Sequence, residues 1–226
     1  MTRSPSDNTS KSIIYENLRL SLGAGTCEPG ERFDLAKIAE EYGTSITPVR
    51  DALQMLSHEG LVTIKPRSGY FVTHVTLKQL RDMLELRAIF ELASIERAVT
   101  RITEEQLEEL EQVHAGYTDE EDESYIRYMG ENRSFHCLIA EASGNHELAV
   151  ALGRLHDRLL RFMILCRVAA SFEDRHALII EALRTRNVVK ARRAMRAELN
   201  ETSKTMLEFV IEEEGAFWLL GNRSSE

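Results

Sequence analysis

Four polar side chains stand on helix faces where apolar ones would complete an inward stripe. Asn132 and His136 are four residues apart and share one face of a predicted helix. His176 falls near the start of a later helix, and Glu198 lies in the middle of the last one. An amide oxygen, a carboxylate and two neutral imidazoles, brought in from separate helices, can converge on one divalent cation inside a bundle. Each imidazole would coordinate through one nitrogen and offer the other to an outer acceptor. A set this rich in oxygen favours Mn²⁺, Mg²⁺ or Ca²⁺, and it also admits Zn²⁺ or Ni²⁺. Without a metal, the same residues would hold a ligand by hydrogen bonds alone.

A second group lies nearer the N-terminus and is suited to a polyanion: Ser45, Thr47, Arg50, Lys65 and Arg67. The elements that must position them are short and punctuated by glycine. Ile13, Ile14, Leu18 and Leu22 predict a helix over 12–22, followed by a loop containing Gly23, Gly25, Pro29 and Gly30. Asp34 caps a second helix over 35–42, with Leu35, Ile38 and Ala39 inward, and Gly43 ends it. A third helix starts at Ser45 or Thr47 and runs to about His58, burying Val49, Leu53 and Leu56. Pro48 suits its first turn, where a missing N–H is harmless. Leu61, Val62 and Ile64, then Tyr70, Phe71 and Val72, flank a turn at 65–69 and predict a hairpin. Helix, tight turn, helix and hairpin together make a winged helix-turn-helix. The exposed start of the third helix would enter a major groove, where its N–H groups and the Ser45 and Thr47 hydroxyls meet phosphates. Arg50 would reach a phosphate or a guanine edge. Lys65 and Arg67 would touch backbone or minor groove from the hairpin tip.

Beyond residue 75 the breakers thin out and six longer helices follow. The first spans 77–101, with Leu80, Leu84, Phe90, Ile95 and Ala98 inward. Thr103 and Gln106 form a capping box opening the second, to 113. The third spans 119–143, with Gly144 after it; Asn145 caps the fourth, to 168. Ser171 caps the fifth, to 186, and the last runs from about 187 towards 217. Short connections make this an all-α antiparallel helical bundle. The chain is therefore mainly α, with a winged helix-turn-helix over residues 1–75 and a helical domain over 76–226.

Charge follows the same division. The 226 residues carry a net charge of −9. Residues 1–75 hold 8 Lys/Arg against 9 Asp/Glu, and residues 76–226 hold 20 against 28. The acidity thus belongs to the helical domain and leaves nucleic-acid binding open to the first. No stretch is apolar enough to cross a membrane, residues 1–12 have no apolar signal core, and Cys27, Cys137 and Cys166 lie far apart. These features suit a reducing cytoplasm, with the cysteines as small core fillers. The acidic run at 119–123 reads as a solvated helix start.

Pro29-Gly30-Glu31, Ser45-x-Thr47-Pro48-Val49-Arg50-x-Ala52-Leu53 and Glu59-Gly60-Leu61-Val62 occur in one order and spacing. On these motifs, residues 12–75 resemble the DNA-binding domain of the GntR family of bacterial transcription regulators. The resemblance implies DNA contacts at Ser45, Thr47, Arg50, Lys65, Arg67 and Gly69. The position after Ser45 is usually a base-contacting Arg in that family. Here it is Ile46, which can touch a thymine methyl instead. The remainder carries Leu86-Arg87-x-x-Phe90-Glu91, Asn132-x-x-Phe135-His136, Glu141-Ala142-Ser143-Gly144-Asn145 and His176-x-x-Ile179-x-x-Ala182-Leu183. It is similar to the FCD effector domain of the FadR-like subfamily. Metal-binding members use one Asp and three His at these places. Here Asn132 replaces the Asp and Glu198 the last His, so the anionic ligand has moved between helices. The resemblance also turns Arg87 towards the cavity, to pair with an effector carboxylate beside Asn132 and His136. Periodicity alone reads Arg87 as a surface salt bridge with Glu85 or Glu91. His114, His146 and His156 read as ordinary surface or packing residues.

The expected function is a ligand-responsive DNA-binding regulator and not an enzyme. It would be a homodimer on palindromic operator DNA, a repressor released by a small organic acid or sugar acid. No positioned nucleophile, phosphate loop or general-base motif is visible. Two alternatives use the same residues: a metal-dependent small-molecule enzyme, and a constitutive DNA binder with an empty bundle.

Overall fold

The structure, a computed structural model, describes residues 5–113, 122–166 and 172–213. Its contacts divide it into two compact units, Met1–Val75 and Thr76–Glu226.

The first unit holds α1 (Pro5–Ala24), α2 (Leu35–Glu41), α3 (Ile46–His58), β1 (Val62–Lys65) and β2 (Gly69–Val72). The Asp34 carboxylate caps α2 by accepting from the N–H groups of Ala36 and Lys37. Gly43 closes that helix at φ +57°, a conformation that side chains resist. The Thr44 N–H returns to the Ala39 carbonyl at 2.9 Å, so the chain reverses tightly into α3. Ala39, Val49, Ala52, Leu53 and Leu56 then lock the two helices over one core with Ile14 and Leu22 of α1. β1 and β2 pair antiparallel, Val62 opposite Val72 and Lys65 opposite Gly69. The chain before α2 adds a short third edge, because Phe33 N–H donates to Tyr70 O and Val72 N–H to Glu31 O. Helix α1 begins at Pro5, earlier than its apolar stripe; a proline suits the first turn, where its missing N–H has no intrahelical acceptor.

The second unit is a helical bundle of α4 (Leu77–Arg101), α5 (Glu104–Gln112), α6 (Asp122–Ala142), α7 (His146–Leu165), α8 (Phe172–Arg184) and α9 (Val188–Glu213). Capping boxes at Thr76/Gln79 and Thr103/Gln106 start α4 and α5. Gly144, at φ +74°, follows α6, and the Asn145 side chain caps α7 through Leu148 N–H. The expected start of α6 at 119, the Ser171 cap, the ends of α7 at 168 and α9 at 217, and His114 lie outside the described residues. Ile95, Ala98 and Val99 of α4 meet Phe135 and Ile139 of α6, Ile179 and Leu183 of α8, and Met195 and Leu199 of α9 in one core. Phe90 is only half-buried and packs beside Ala140 and Leu152. Helix α4 packs on α6, α7, α8 and α9. A polar residue on its inward face therefore lies within reach of side chains from several helices.

Candidate functional site

In the first unit, α3 presents Ser45, Ile46, Thr47 and Arg50 to solvent at its N-terminal end, while Pro48 and Val49 are buried. Ser45 takes the extended backbone of a cap, yet its hydroxyl makes no capping hydrogen bond. Ile46, Arg50, Lys65, Arg67 and Gly69 line one cleft of about 740 Å³ between the start of α3 and the hairpin. Arg67 sits in the turn at φ +62°, and the Lys65 ammonium lies 4.5 Å from the centre of the Phe71 ring. Ser45 and Thr47 flank this cleft without lining it. Two further lining residues had no sequence signal, Arg32 from the edge before α2 and the exposed Ile64 of β1.

The second unit buries a charged cluster on the inward face of α4. Arg87 and Glu91 are each 1% exposed, and Asn132, His136, His156, His176, Glu198 and Thr202 are also buried. Arg87 Nε donates to Glu91 Oε1 at 2.6 Å, and Arg87 Nη2 lies 3.6 Å from Glu198 Oε1. The His136 ring bridges two helices: Nδ1 is 2.6 Å from Glu91 Oε2 on α4, and Nε2 is 2.9 Å from Glu198 Oε1 on α9. His156 Nε2 on α7 lies 3.0 Å from Glu91 Oε1, and His176 Nε2 on α8 lies 3.5 Å from Glu198 Oε2. The Phe135 ring stacks on His176 at 3.7 Å between centroids and holds it in the cluster.

Protonation follows from these contacts. Burial pushes the His136 imidazole down, but Glu91 and Glu198 outweigh it and hold its pKa up at about 9. Burial and the Arg87 guanidinium push His156 down to about 4, against the pull of Glu91. Burial also lowers His176. Burial raises both carboxyls, but Arg87 and His136 hold Glu91 well below the usual carboxylate range, and His136 and His176 lower Glu198. At neutral pH the cluster is therefore balanced, with Arg87 and His136 positive and Glu91 and Glu198 negative.

Of the four residues expected to ligate a metal, three converge. His136, His176 and Glu198 place one donor atom each within 4.8 Å of one another. Asn132 lies one turn before His136 on α6, fully buried, and neither its amide oxygen nor its nitrogen has a hydrogen-bond partner. A buried amide with both ends unmade calls for a missing partner. This donor set fits a divalent cation. His136, His176, Glu198 and the Asn132 oxygen would hold it, and the cation would displace the His136 proton. Glu91, His136 and His156 form a second group of close donors. A neutral His136 has only one bare nitrogen, so it can serve one group at a time.

Arg87 does reach this cluster, and the surface salt bridge is replaced by a buried one, with Glu91 as the partner. Its Nε and Nη2 are both turned to protein groups, which leaves Nη1, buried and without a partner. Glu91 and His156 were missed. An Arg-x-x-x-Glu spacing is the same on a surface as in a core. His156 carried a usable signal, since it lies on the stripe of Leu152, Leu155 and Leu159. His146 is a surface residue, 3.2 Å from Glu141 Oε1. The three cysteines are half-buried, and burial pushes the Cys137 thiol up.

The FCD domain family matches residues 82–201, just over half of the chain, and the family of bacterial regulatory proteins named gntR matches residues 11–72. The chain belongs to the gntR family and carries an FCD domain. An HTH-type transcriptional regulator of Bacillus subtilis, YdhC, is 29% identical over 216 residues, 88% of this chain and 92% of the relative. The transcriptional repressor GlaR of Escherichia coli is 27% identical over 198 residues, 82% of this chain and 90% of the relative. The solved structure of E. coli McbR/YncC shares the fold at a TM-score of 0.73 and 22% identity, covering 88% of this chain and 97% of that one. The winged helix of this gntR protein therefore supplies DNA binding, and its FCD domain contains the buried cluster. Among the described residues, no helix is long and apolar enough to cross a membrane.

Proposed function

We propose that this regulator is a cytoplasmic homodimeric repressor that leaves its operator when a small carboxylate metabolite binds in the FCD cluster beside a divalent cation. The observation that carries the reading is the Asn132 amide, fully buried with both ends unpartnered one helical turn from His136. A core with no ligand to hold would gain by replacing it with an apolar side chain. Charge gives the effector class. With a divalent cation bound and the histidines neutral, Arg87 and the cation outweigh Glu91 and Glu198 by one positive charge. A monocarboxylate restores balance, accepting from Arg87 Nη1. The anion thus needs the cation, because the metal-free cluster is already neutral. Effector binding lowers operator affinity if the ligand favours the state that binds DNA less well. The repressor direction follows that of GlaR, a transcriptional repressor.

Operator sequences selected from a random duplex library by the protein itself provide the assay. Retardation should persist in the apo form and be relieved by Mn²⁺ or Zn²⁺ together with a member of an organic-acid panel. No release by any pair, with no thermal shift, would sink the proposal.

A second reading is favoured by Arg87 and protonated His136, which already neutralise both carboxylates. In it the cluster works without metal and accepts a neutral hydrogen-bonding ligand. Elemental analysis of protein purified without chelator separates the two. Bound divalent ion supports the first reading; none, with no thermal shift on adding metal, supports the second.

A further inference from the structure

The first unit carries a cation that no recognised motif accounts for. Arg32 lies in the chain before α2, where residues 31–33 run along β2 as a third edge. Neighbouring side chains on such an edge point to opposite faces. Phe33 is buried in the core, so Arg32 is directed outward, and it is exposed. It lines the same cleft as Arg50, Lys65 and Arg67.

Nearby acids do not neutralise it. The Asp34 carboxylate accepts from the N–H groups of Ala36 and Lys37, and the Glu31 carboxylate accepts from Glu28 N–H. Among the described residues Arg32 has no ion-pair partner. Its guanidinium instead lies across Gly69: a Cβ at that position would stand 3.3 Å from Arg32 Nε. Gly69 therefore does two things, taking φ +117° and leaving room for the arginine. Arg50 is the one Lys or Arg of α3, because the helix opens with Ile46.

We infer that Arg32 is a DNA-phosphate contact beside the wing, a fourth cation of the DNA-binding face. It rests on the reading of this face as the DNA surface. A phosphate is favoured over a base because Arg32 sits on a sheet edge next to the wing. Base edges are read from the start of the recognition helix.

The test uses the full chain and two duplexes: one selected by the wild type and one unrelated. Arg32→Ala should weaken both by a similar factor and lower the slope of log affinity against log salt by about 1 per bound protomer. Arg32→Lys should retain the wild-type slope, and thermal melting should be unchanged for both variants. Unchanged affinity and slope in Arg32→Ala would overturn the assignment. So would a loss confined to one base position in sequences reselected by the variant, since that is base readout. Arg50→Ala tests the underlying reading. If it loses binding while Arg32→Ala does not, only the Arg32 contact fails. If neither variant loses binding, the DNA-binding face itself is misplaced.

Discussion

Glu91 is the residue on which the buried cluster turns. One carboxylate meets Arg87 Nε, His136 Nδ1 and His156 Nε2 within 3.0 Å. Removing it would strand a guanidinium in the core. Glu91→Ala should destabilise the protein by about 3–5 kcal/mol, the usual cost of breaking a buried ion pair, read from the denaturant midpoint. A loss below about 1 kcal/mol would mean that water reaches these groups and screens them. The same contacts predict how metal-free stability depends on pH. His136 is raised from its ordinary 6.5 to about 9. Its contribution is thus full below pH 6.5 and is lost as pH rises to 9. His156, lowered from 6.5 to about 4, acts in the opposite direction. It opposes folding as pH falls from 6.5, when the unfolded chain takes up a proton the native state refuses. Melting temperature in chelator should therefore peak near pH 6.5, and His136→Gln should remove the fall on the alkaline side. Legibility at this scale was uneven. Asn132, His136, His176 and Glu198 could be named in advance because polar residues break an apolar stripe. Glu91 could not, because its partner Arg87 lies one turn away on the same helix, where a surface pair looks identical.

Elements were more legible than the residues they carry. Helix α5 begins where Thr103 and Gln106 stand three apart in the sequence, and that box closes reciprocally; the same spacing at Thr76 and Gln79, not read in advance, closes a second box ahead of α4. Such caps are local chemistry and need no knowledge of packing. Thr76→Ala should cost about 1 kcal/mol, seen as a lower melting temperature with an unchanged far-ultraviolet spectrum; an unchanged melting temperature would mean that solvent replaces the cap. The Phe33–Tyr70 and Glu31–Val72 bonds, which make residues 31–33 a third edge, were not legible. That edge is one bridge long and has no alternating run to announce it. Its consequence is functional, since it directs Arg32 outward.

At the scale of the whole molecule, acidity and DNA binding coexist because they belong to different units. Residues 76–226 carry a net −8, and they also carry the buried cluster. The chain functions as a sensor only if the two units are energetically coupled. Coupling of this kind is reciprocal: whatever factor a cation and its carboxylate take from operator affinity, the operator must take from theirs. This can be measured from both sides. Operator affinity is titrated with and without a saturating Mn²⁺ and carboxylate pair, and the affinity for that pair is titrated with and without saturating operator. The two ratios should agree and differ from one, with a factor of about 5–150. Glu198→Gln, which removes the anionic ligand while the Arg32 and Arg50 face remains intact, should bring both ratios towards one and leave apo operator affinity near that of the wild type. Ratios of one in the unaltered protein would identify a constitutive DNA binder, with the buried cluster reduced to a structural network.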